Sequence, residues 1–248
     1  MKVSIKKIMA IFQLKFQLLL SNLSVILTPV FAIGFVILMK NLMPEVEVNE
    51  QGVNFLTGAF LLGFGLIFNI GIAGISMSSH PIAEEKEKNT LRVLMTSSVN
   101  GLEYFIGSML PTLIILMIVN VLLIPASGIA FGSIQMPGYL IITAAASIIS
   151  VLIGYIIGII SKNQTQAGLV GMPILLVLTS APLFRIYNEN IADILNYTYA
   201  GVLTNLAEGL FSGGEYQWSL SDSSVLIGWF VVCLCLFVYV YKRNGLDG

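Results

Sequence analysis

Charge is what this sequence has least of. Its 248 residues include 12 Lys or Arg and 13 Asp or Glu, which give a formal net charge of −1. A soluble domain carries about 25% charged residues, and this chain has 10%. The near-zero net charge excludes the general basic footprint of a nucleic-acid-binding protein. A single histidine, His80, excludes a histidine cluster for a metal ion.

Cysteine is nearly as scarce, and the usual catalytic motifs are missing. Cys233 and Cys235 lie two residues apart in an apolar run, so they point to different helix faces. We expect neither a disulfide nor a metal pair, and expect both side chains to face lipid. The sequence holds no Gly-x-Ser-x-Gly nucleophile motif and no Gly-x-x-x-x-Gly-Lys-Ser/Thr nucleotide loop. An intramembrane protease would need Arg after Glu84-Glu85 where this chain has Asn89.

Apolar residues are abundant instead, and their distribution indicates an integral membrane protein. They make up 56% of the chain, and the mean hydropathy is +0.91. Long windows without charge predict six transmembrane helices in an all-α polytopic membrane protein. Gly132 to Gly138 supplies the turn that divides the longest window. The predicted spans are 23–39, 55–77, 106–131, 139–160, 167–184 and 224–241.

The first 21 residues have the pattern of an amphipathic helix at the membrane interface. One predicted face carries Ile5, Ile8, Met9, Phe12, Phe16 and Leu19, and the other carries Lys2, Lys6, Gln13 and Gln17. The apolar run that follows is too long for a signal-peptide core, and no Ala-x-Ala site closes it, so we expect the segment to be retained.

Lysine and arginine are distributed unevenly between the two predicted sides of the membrane. With the N-terminus in the cytoplasm, only Lys40 and Arg185 fall outside, which is a clear positive-inside bias. The cytoplasmic set is Lys2, Lys6, Lys7, Lys15, Lys86, Lys88, Arg92, Lys162, Lys242 and Arg243. We therefore expect a multi-pass plasma-membrane protein with both termini cytoplasmic.

The segment 185–223 is predicted to lie outside, between the fifth and sixth spans. It has helical spacing but is too polar to cross, so we expect one or two short helices that dip partly into the outer leaflet. The whole chain, 1–248, is then one transmembrane domain: interfacial helix 1–21, spans within 22–184, this re-entrant loop, and span six with a tail at 224–248.

A charged island from His80 to Glu103 interrupts the apolar sequence. It contains seven charged residues within 84–103, which cannot lie in lipid. Pro81 suits a helix first turn, so we expect a short amphipathic cytoplasmic helix over 81–96 with acidic residues near its positive end. Asn100 with Glu103 three residues later predicts a capping box that opens the third span. The alternative is a solvated connector whose charges only exclude it from lipid.

This island resembles the signature of type-2 ATP-binding-cassette (ABC) exporter permeases. In that family the pattern is roughly Glu-Arg-Glu-x-Gly-Thr-Leu-Glu-x-Leu, followed by a Ser/Thr-Pro-Val-Ser turn, a Glu and a Gly. The matching residues are Glu85, Glu87, Thr90, Leu91, Leu94, Val99, Glu103 and Gly107, with Lys86 as a same-charge substitute. The departures are Asn89 for Gly, Arg92 for Glu, Ser98 for Pro, and Ser108 where Lys is common.

The resemblance implies a permease, not an enzyme, that works with a separate ABC ATPase. Two permeases, identical or sister chains, and two ATPases would form the transporter, with ATP and Mg held by the ATPases and no cofactor or metal held by this chain. The residues implied in coupling to the ATPase are Glu85, Lys86, Glu87, Thr90, Leu91, Arg92 and Leu94.

The sequence gives less direct evidence about the cargo. This evidence comes from polar residues inside apolar runs. Asn69, Asn120, Thr179 and Ser180 are candidates for a translocation pathway, or they hydrogen-bond neighbouring helices. The preferred cargo is an amphipathic or hydrophobic peptide, toxin or drug. A lipid-linked polysaccharide exporter and a non-transporting membrane sensor or assembly factor are the alternatives.

The charge distribution makes a testable prediction of topology. Green fluorescent protein fused to the C-terminus should fluoresce, because that end is expected in the cytoplasm, whereas alkaline phosphatase fused there should be inactive because its disulfides form only outside. Phosphatase fused after Val48, in the predicted first outer loop, should be active. An active phosphatase at the C-terminus would reverse the assignment.

Overall fold

The computed structural model describes residues 3–42, 58–90, 99–187, 189–211 and 219–243. Every regular element within these ranges is helical, as expected. The α-helices are α1 (Ile5–Ser21), α2 (Leu23–Leu42), α3 (Gly58–Leu66), α4 (Gly74–Glu87), α5 (Gly101–Ser127), α6 (Met136–Ile160), α7 (Gln164–Tyr187), α8 (Glu189–Asn196), α9 (Tyr199–Phe211) and α10 (Leu220–Arg243). A π-helix (Ile67–Ala73) joins α3 to α4, and a 3₁₀ turn (Phe131–Ser133) precedes α6.

Five helices of the described residues are long and apolar enough to cross a membrane. They are Leu23–Leu42, Phe60–Glu87, Gly101–Ser127, Met136–Ile160 and Leu220–Arg243. These coincide with five of the six predicted spans. Helix α7, with 24 residues, overlaps the remaining one, and its crossing stays a prediction.

The structure of the second span shows that the charged elbow does not begin at Pro81, as had been expected. Residues 58–87 form one continuous helical rod, so Pro81 lies inside α4 and does not open a new helix. Proline is tolerated here because α4 is buried along its length, with Ile82 and Ala83 nearly inaccessible. The rod ends at Lys88, and Asn89 adopts the left-handed conformation at φ 57°.

The acidic residues of the elbow therefore lie in the last turn of a helix, not in its first. The helix dipole is unfavourable to negative charge at that end, so Glu84 and Glu85 need cationic partners. Of the predicted helix 81–96, residues 91–96 lie outside the described residues. The expected capping box is confirmed: Asn100 Oδ1 accepts from the Glu103 backbone N–H at 2.8 Å, and Glu103 Oε2 accepts from Asn100 N–H at 3.0 Å.

Helix α1 forms where it was expected, and one stripe of it is buried against the protein. Its buried residues are Ile11, Lys15 and Leu19, whereas Ile5 is 78% and Met9 51% exposed. The buried stripe packs on α5, where Gly107 permits close approach. Its placement at the membrane interface stays a prediction. The sequence of α1 contains two apolar stripes, and only tertiary contact selects the one that is buried. The exposed one is available to lipid.

Helices α4 and α6 are held together by two glycines. A Cβ on Gly154 would collide with Ser78 Oγ, and one on Gly158 would lie 2.8 Å from the Ser79 carbonyl oxygen. The Gly154/Gly158 pair therefore serves packing within the subunit, with the small-xxx-small spacing typical of closely packed membrane helices.

The segment after α7 is helical, as predicted. Helix α9 packs on α3, where Gly63 lies close to Ala207, and the Ser150 hydroxyl of α6 donates to the Tyr199 hydroxyl at 3.0 Å. The depth of this segment in the membrane stays a prediction.

The two cysteines lie on α10, where Cys233 is buried and Cys235 is exposed, and neither forms a disulfide. The prediction that both side chains face lipid was therefore wrong for Cys233.

The glycine contacts predict a sharp difference between two substitutions. Gly154→Val should lower the apparent melting temperature of the purified protein, because overpacking costs about 1–3 kcal/mol. Gly228→Val is the matched control, since nothing lies within 4 Å of the added Cβ in another span. Equal melting temperatures for the two variants would contradict the packing described here.

Candidate functional site

Three helices meet in a buried polar cluster at the charged end of α4. The Lys15 ammonium of α1 forms an ion pair with the Glu85 carboxylate of α4, and the Tyr104 hydroxyl of α5 donates to the other Glu85 oxygen. Lys15 Nζ also donates to the Tyr104 hydroxyl at 3.1 Å and lies 4.8 Å from the ring centroid. We call these three residues the buried triad.

The triad is enclosed by protein. Lys15 is 4%, Glu85 9% and Tyr104 0% exposed. Removing an ion from water costs several kcal/mol, which only close pairing and hydrogen bonding offset. Desolvation lowers the pKa of Lys15, and the negative charge of Glu85 opposes that shift. The pair is therefore favourable only while α1, α4 and α5 are all in place.

A second contact joins the beginnings of α1 and α5. Besides its capping role, Glu103 accepts from the backbone N–H of Ser4 at 2.7 Å, and its carboxylate lies 4.0 Å from Lys7 Nζ. The capping carboxylate thus also satisfies a backbone donor just before α1. Two adjacent residues of α5, Glu103 and Tyr104, thus hold α1 near its start and at Lys15.

The remaining charges at the end of α4 reach α6 and α7. Lys86 donates to the carbonyl of Ile159 at the end of α6, where a cation suits the negative end of the helix dipole. Glu84 accepts from Gln164 Nε2 at 2.6 Å, at the beginning of α7, and from Lys88 at 2.5 Å. The last turn of α4 is therefore bonded to four other helices.

The residues predicted to contact an ATPase differ in how far they are exposed at the surface. The Glu85 carboxylate is directed into the subunit, where it pairs with Lys15, although the resemblance implied a role for it in coupling to an ATPase. Lys86 is half-buried, whereas Glu87 and Thr90 are exposed. Leu91, Arg92 and Leu94 lie outside the described residues. Contact with an ATPase stays a prediction for this set.

Sequence reasoning missed Lys15 and Tyr104. Their signal was present, because Lys15 lies four residues after Ile11 and four before Leu19, on the apolar stripe that α1 buries. A lysine at helical spacing within such a stripe needs a buried anion. The sequence does not say which of the thirteen acids supplies it.

The polar residues of the spans fall into two groups. Asn69 Nδ2, within the π-helix, donates to Asn120 Oδ1 at 2.8 Å and to the Leu116 carbonyl at 3.0 Å, and both asparagines are fully buried. The two asparagines therefore hydrogen-bond neighbouring helices to each other. This was the alternative to a role in a translocation pathway. Thr179 and Ser180 are half-buried, and their hydroxyls donate to the carbonyls of Leu175 and Leu176 in α7 itself.

Comparison with protein families places the chain. Residues 38–239 match the model of the ABC-2 family transporter protein. The match covers most of the chain, so the protein belongs to this family of ABC transporter membrane subunits and is a permease component, not a nucleotide-binding domain. No curated protein matches it. Glu85 and Tyr104 lie inside the matched range and Lys15 lies before it, so the cation of the triad comes from outside the family match.

We predict that substituting Lys15 and Glu85 together costs much less stability than the two single substitutions added together. Lys15→Met leaves Glu85 buried without a cation, and Glu85→Gln leaves Lys15 without an anion, so each should destabilise the protein by about 3–5 kcal/mol. The double variant should lose much less than the sum of the two, because neither unpaired charge remains. Unfolding followed in detergent by circular dichroism measures all three.

The exposed pair in the same helix turn is the control. Lys88 is 64% exposed beside Glu84, so Lys88→Met should change stability little. Additive losses in the double variant, or a loss for Lys88→Met as large as for Lys15→Met, would show that burial of the pair does not matter.

Proposed function

We propose that this chain is the membrane-spanning subunit of an ATP-driven exporter that moves an amphipathic or hydrophobic cargo out of the cytoplasm or inner leaflet. Family membership supports the permease role. The observation that carries the coupling part is the last turn of α4, whose charges bond to α1, α5, α6 and α7 at once. Two permeases would assemble with two cytoplasmic ATPases, which bind ATP and Mg.

In this mechanism the ATPase pushes on the exposed surface next to α4. Glu87 and Thr90 offer that surface, and Leu91, Arg92 and Leu94 follow them in the sequence. Displacement of this turn pulls α1 through the Lys15–Glu85 pair, and pulls α6 and α7 through Lys86 and Glu84. These helices then move as one body when ATP binding closes the ATPases on each other.

The π-helix supplies a hinge within the second span. A π segment is rare within α-helices and often occurs at functional positions. Asn69 Oδ1 is buried and accepts no hydrogen bond from the described residues, which raises the energy of this arrangement by about 1–3 kcal/mol. Both features favour a second arrangement of this span, with an energy close to that of the arrangement described here. The charged half of the span then tilts against the half beyond Asn69.

A charge reversal at the exposed surface tests this coupling. The permease is co-expressed with a candidate ABC ATPase, and the purified complex is assayed for ATP hydrolysis with and without amphipathic peptides. Glu87→Lys combined with Arg92→Glu should release the ATPase or abolish peptide stimulation, because it reverses two charges of the proposed contact.

Lys6→Glu, an exposed reversal on α1, is the control and should retain both properties. If no ATPase co-purifies with the unaltered permease, the exporter proposal fails and the sensor or assembly-factor alternative replaces it.

A further inference from the structure

A cavity of about 780 Å³ lies beside the buried triad. Its walls come from the second half of α1, the first residues of α2, the last turns of α4, and parts of α5 and α6. We call it the junction cavity. Its volume lies within the 300–1,000 Å³ of pockets that hold small molecules. Permease function as proposed above does not account for it.

The apolar lining of the junction cavity comes mainly from α1 and α2. Leu14, Leu18 and Leu23 contribute to it and are 43%, 48% and 68% exposed, respectively. Met77 and Ile82 of α4 complete this lining. An apolar chain placed here would bury leucine surface that the protein leaves uncovered, at a gain of about 25 cal/mol per Å².

The charges that line the junction cavity balance. Lys15 and Glu85 form one ion pair and Lys88 and Glu84 another, so two cations and two anions line the cavity. A ligand with a full unpaired charge would compete with one member of each pair. A neutral or zwitterionic polar group would not compete with either ion pair in this way.

Two buried hydroxyls that line the cavity, those of Tyr155 and Ser108, form no hydrogen bond with the described residues. Tyr155 belongs to α6 and is 3% exposed. An unpaired buried hydroxyl costs about 1–3 kcal/mol. A hydrogen-bond acceptor on a ligand would satisfy it. Thr112 brings a further hydroxyl to the lining.

We propose that the junction cavity binds a single-chain amphiphile whose neutral or zwitterionic head group accepts a hydrogen bond from Tyr155. Its apolar chain lies along the leucines of α1 and α2. The cavity shares Lys15 and Glu85 with the buried triad, so an occupant contacts the pair that joins α1 to α4. This chemistry fits a lipid of the surrounding membrane and equally a cargo molecule. Only the second source rests on the proposed export function.

The test is photo-crosslinking of the full-length permease alone, in nanodiscs, with a lysophosphatidylcholine that carries a diazirine at the end of its acyl chain. Mass spectrometry of the crosslinked peptides should locate the label in residues 14–25. Leu18→Trp, which adds bulk to the apolar lining, should reduce labelling there at least tenfold. Leu169→Trp is the matched control on α7, where the leucine is 61% exposed, and should label as the unaltered protein does.

Tyr155→Phe removes only the hydroxyl and tests the head-group contact without disturbing the fold. Losing one neutral hydrogen bond of about 1 kcal/mol should weaken labelling about fivefold. Lysophosphatidylcholine without the diazirine should compete, and dodecane should not. Labelling that is the same in Leu18→Trp and Leu169→Trp would overturn the proposal, and labelling unchanged by Tyr155→Phe would overturn its head-group part.

Two further measurements distinguish the sources. A phospholipid that remains bound through purification, detected by native mass spectrometry and lost in Leu18→Trp, identifies a membrane lipid. Stimulation of the ATPase complex by added lysophosphatidylcholine, lost in the same variant, identifies a cargo. The crosslinking uses no ATPase, so its outcome is independent of whether the coupling proposal holds.

Discussion

The arrangement of this protein depends on one buried ion pair, between Lys15 and Glu85. Both groups have left water, and each is favourable only because the other lies against it, with Tyr104 completing the hydrogen bonding. The pair exists only when α1, α4 and α5 have all docked. It therefore makes their association cooperative, and it opposes any motion that would separate α1 from α4.

Rigidity and freedom are distributed unevenly along the second span. Its charged half is packed on α6 through Gly154 and Gly158, whose lack of side chains lets the two backbones approach closely. Its middle is a π-helix with a buried asparagine oxygen that accepts no hydrogen bond from the described residues. In the proposed mechanism the packed end of this span transmits force and the π segment bends.

Helix α1 has two apolar stripes with different uses. One packs on α5 and carries the lysine of the triad, and the other remains exposed, with Ile5 and Met9 at its start. Leucines of the same helix line the junction cavity. The helix thus touches the protein core, the cavity and the surface available to lipid. A change in any of these environments acts directly on the Lys15–Glu85 pair.

Much of this could be read from the sequence because it depends on neighbours along the chain. Hydropathy determined the membrane class, and the Asn100–Glu103 spacing determined a capping box, since its bonds span three residues. The start of the elbow at Pro81 was predicted wrongly. Local preference disfavours proline within a helix, and the close contact of α4 with α6 outweighs that preference.

The partner of Lys15 was decided only by the tertiary structure. Seventy residues separate it from Glu85, and nothing in the local pattern at either position selects the other. The sequence determined that a lysine on a buried stripe must find an anion, because an unpaired charge away from water is too unfavourable to persist. Docking of α1 across α4 and α5 decided which anion it found, because only there do close pairing and a tyrosine hydroxyl together offset the loss of water.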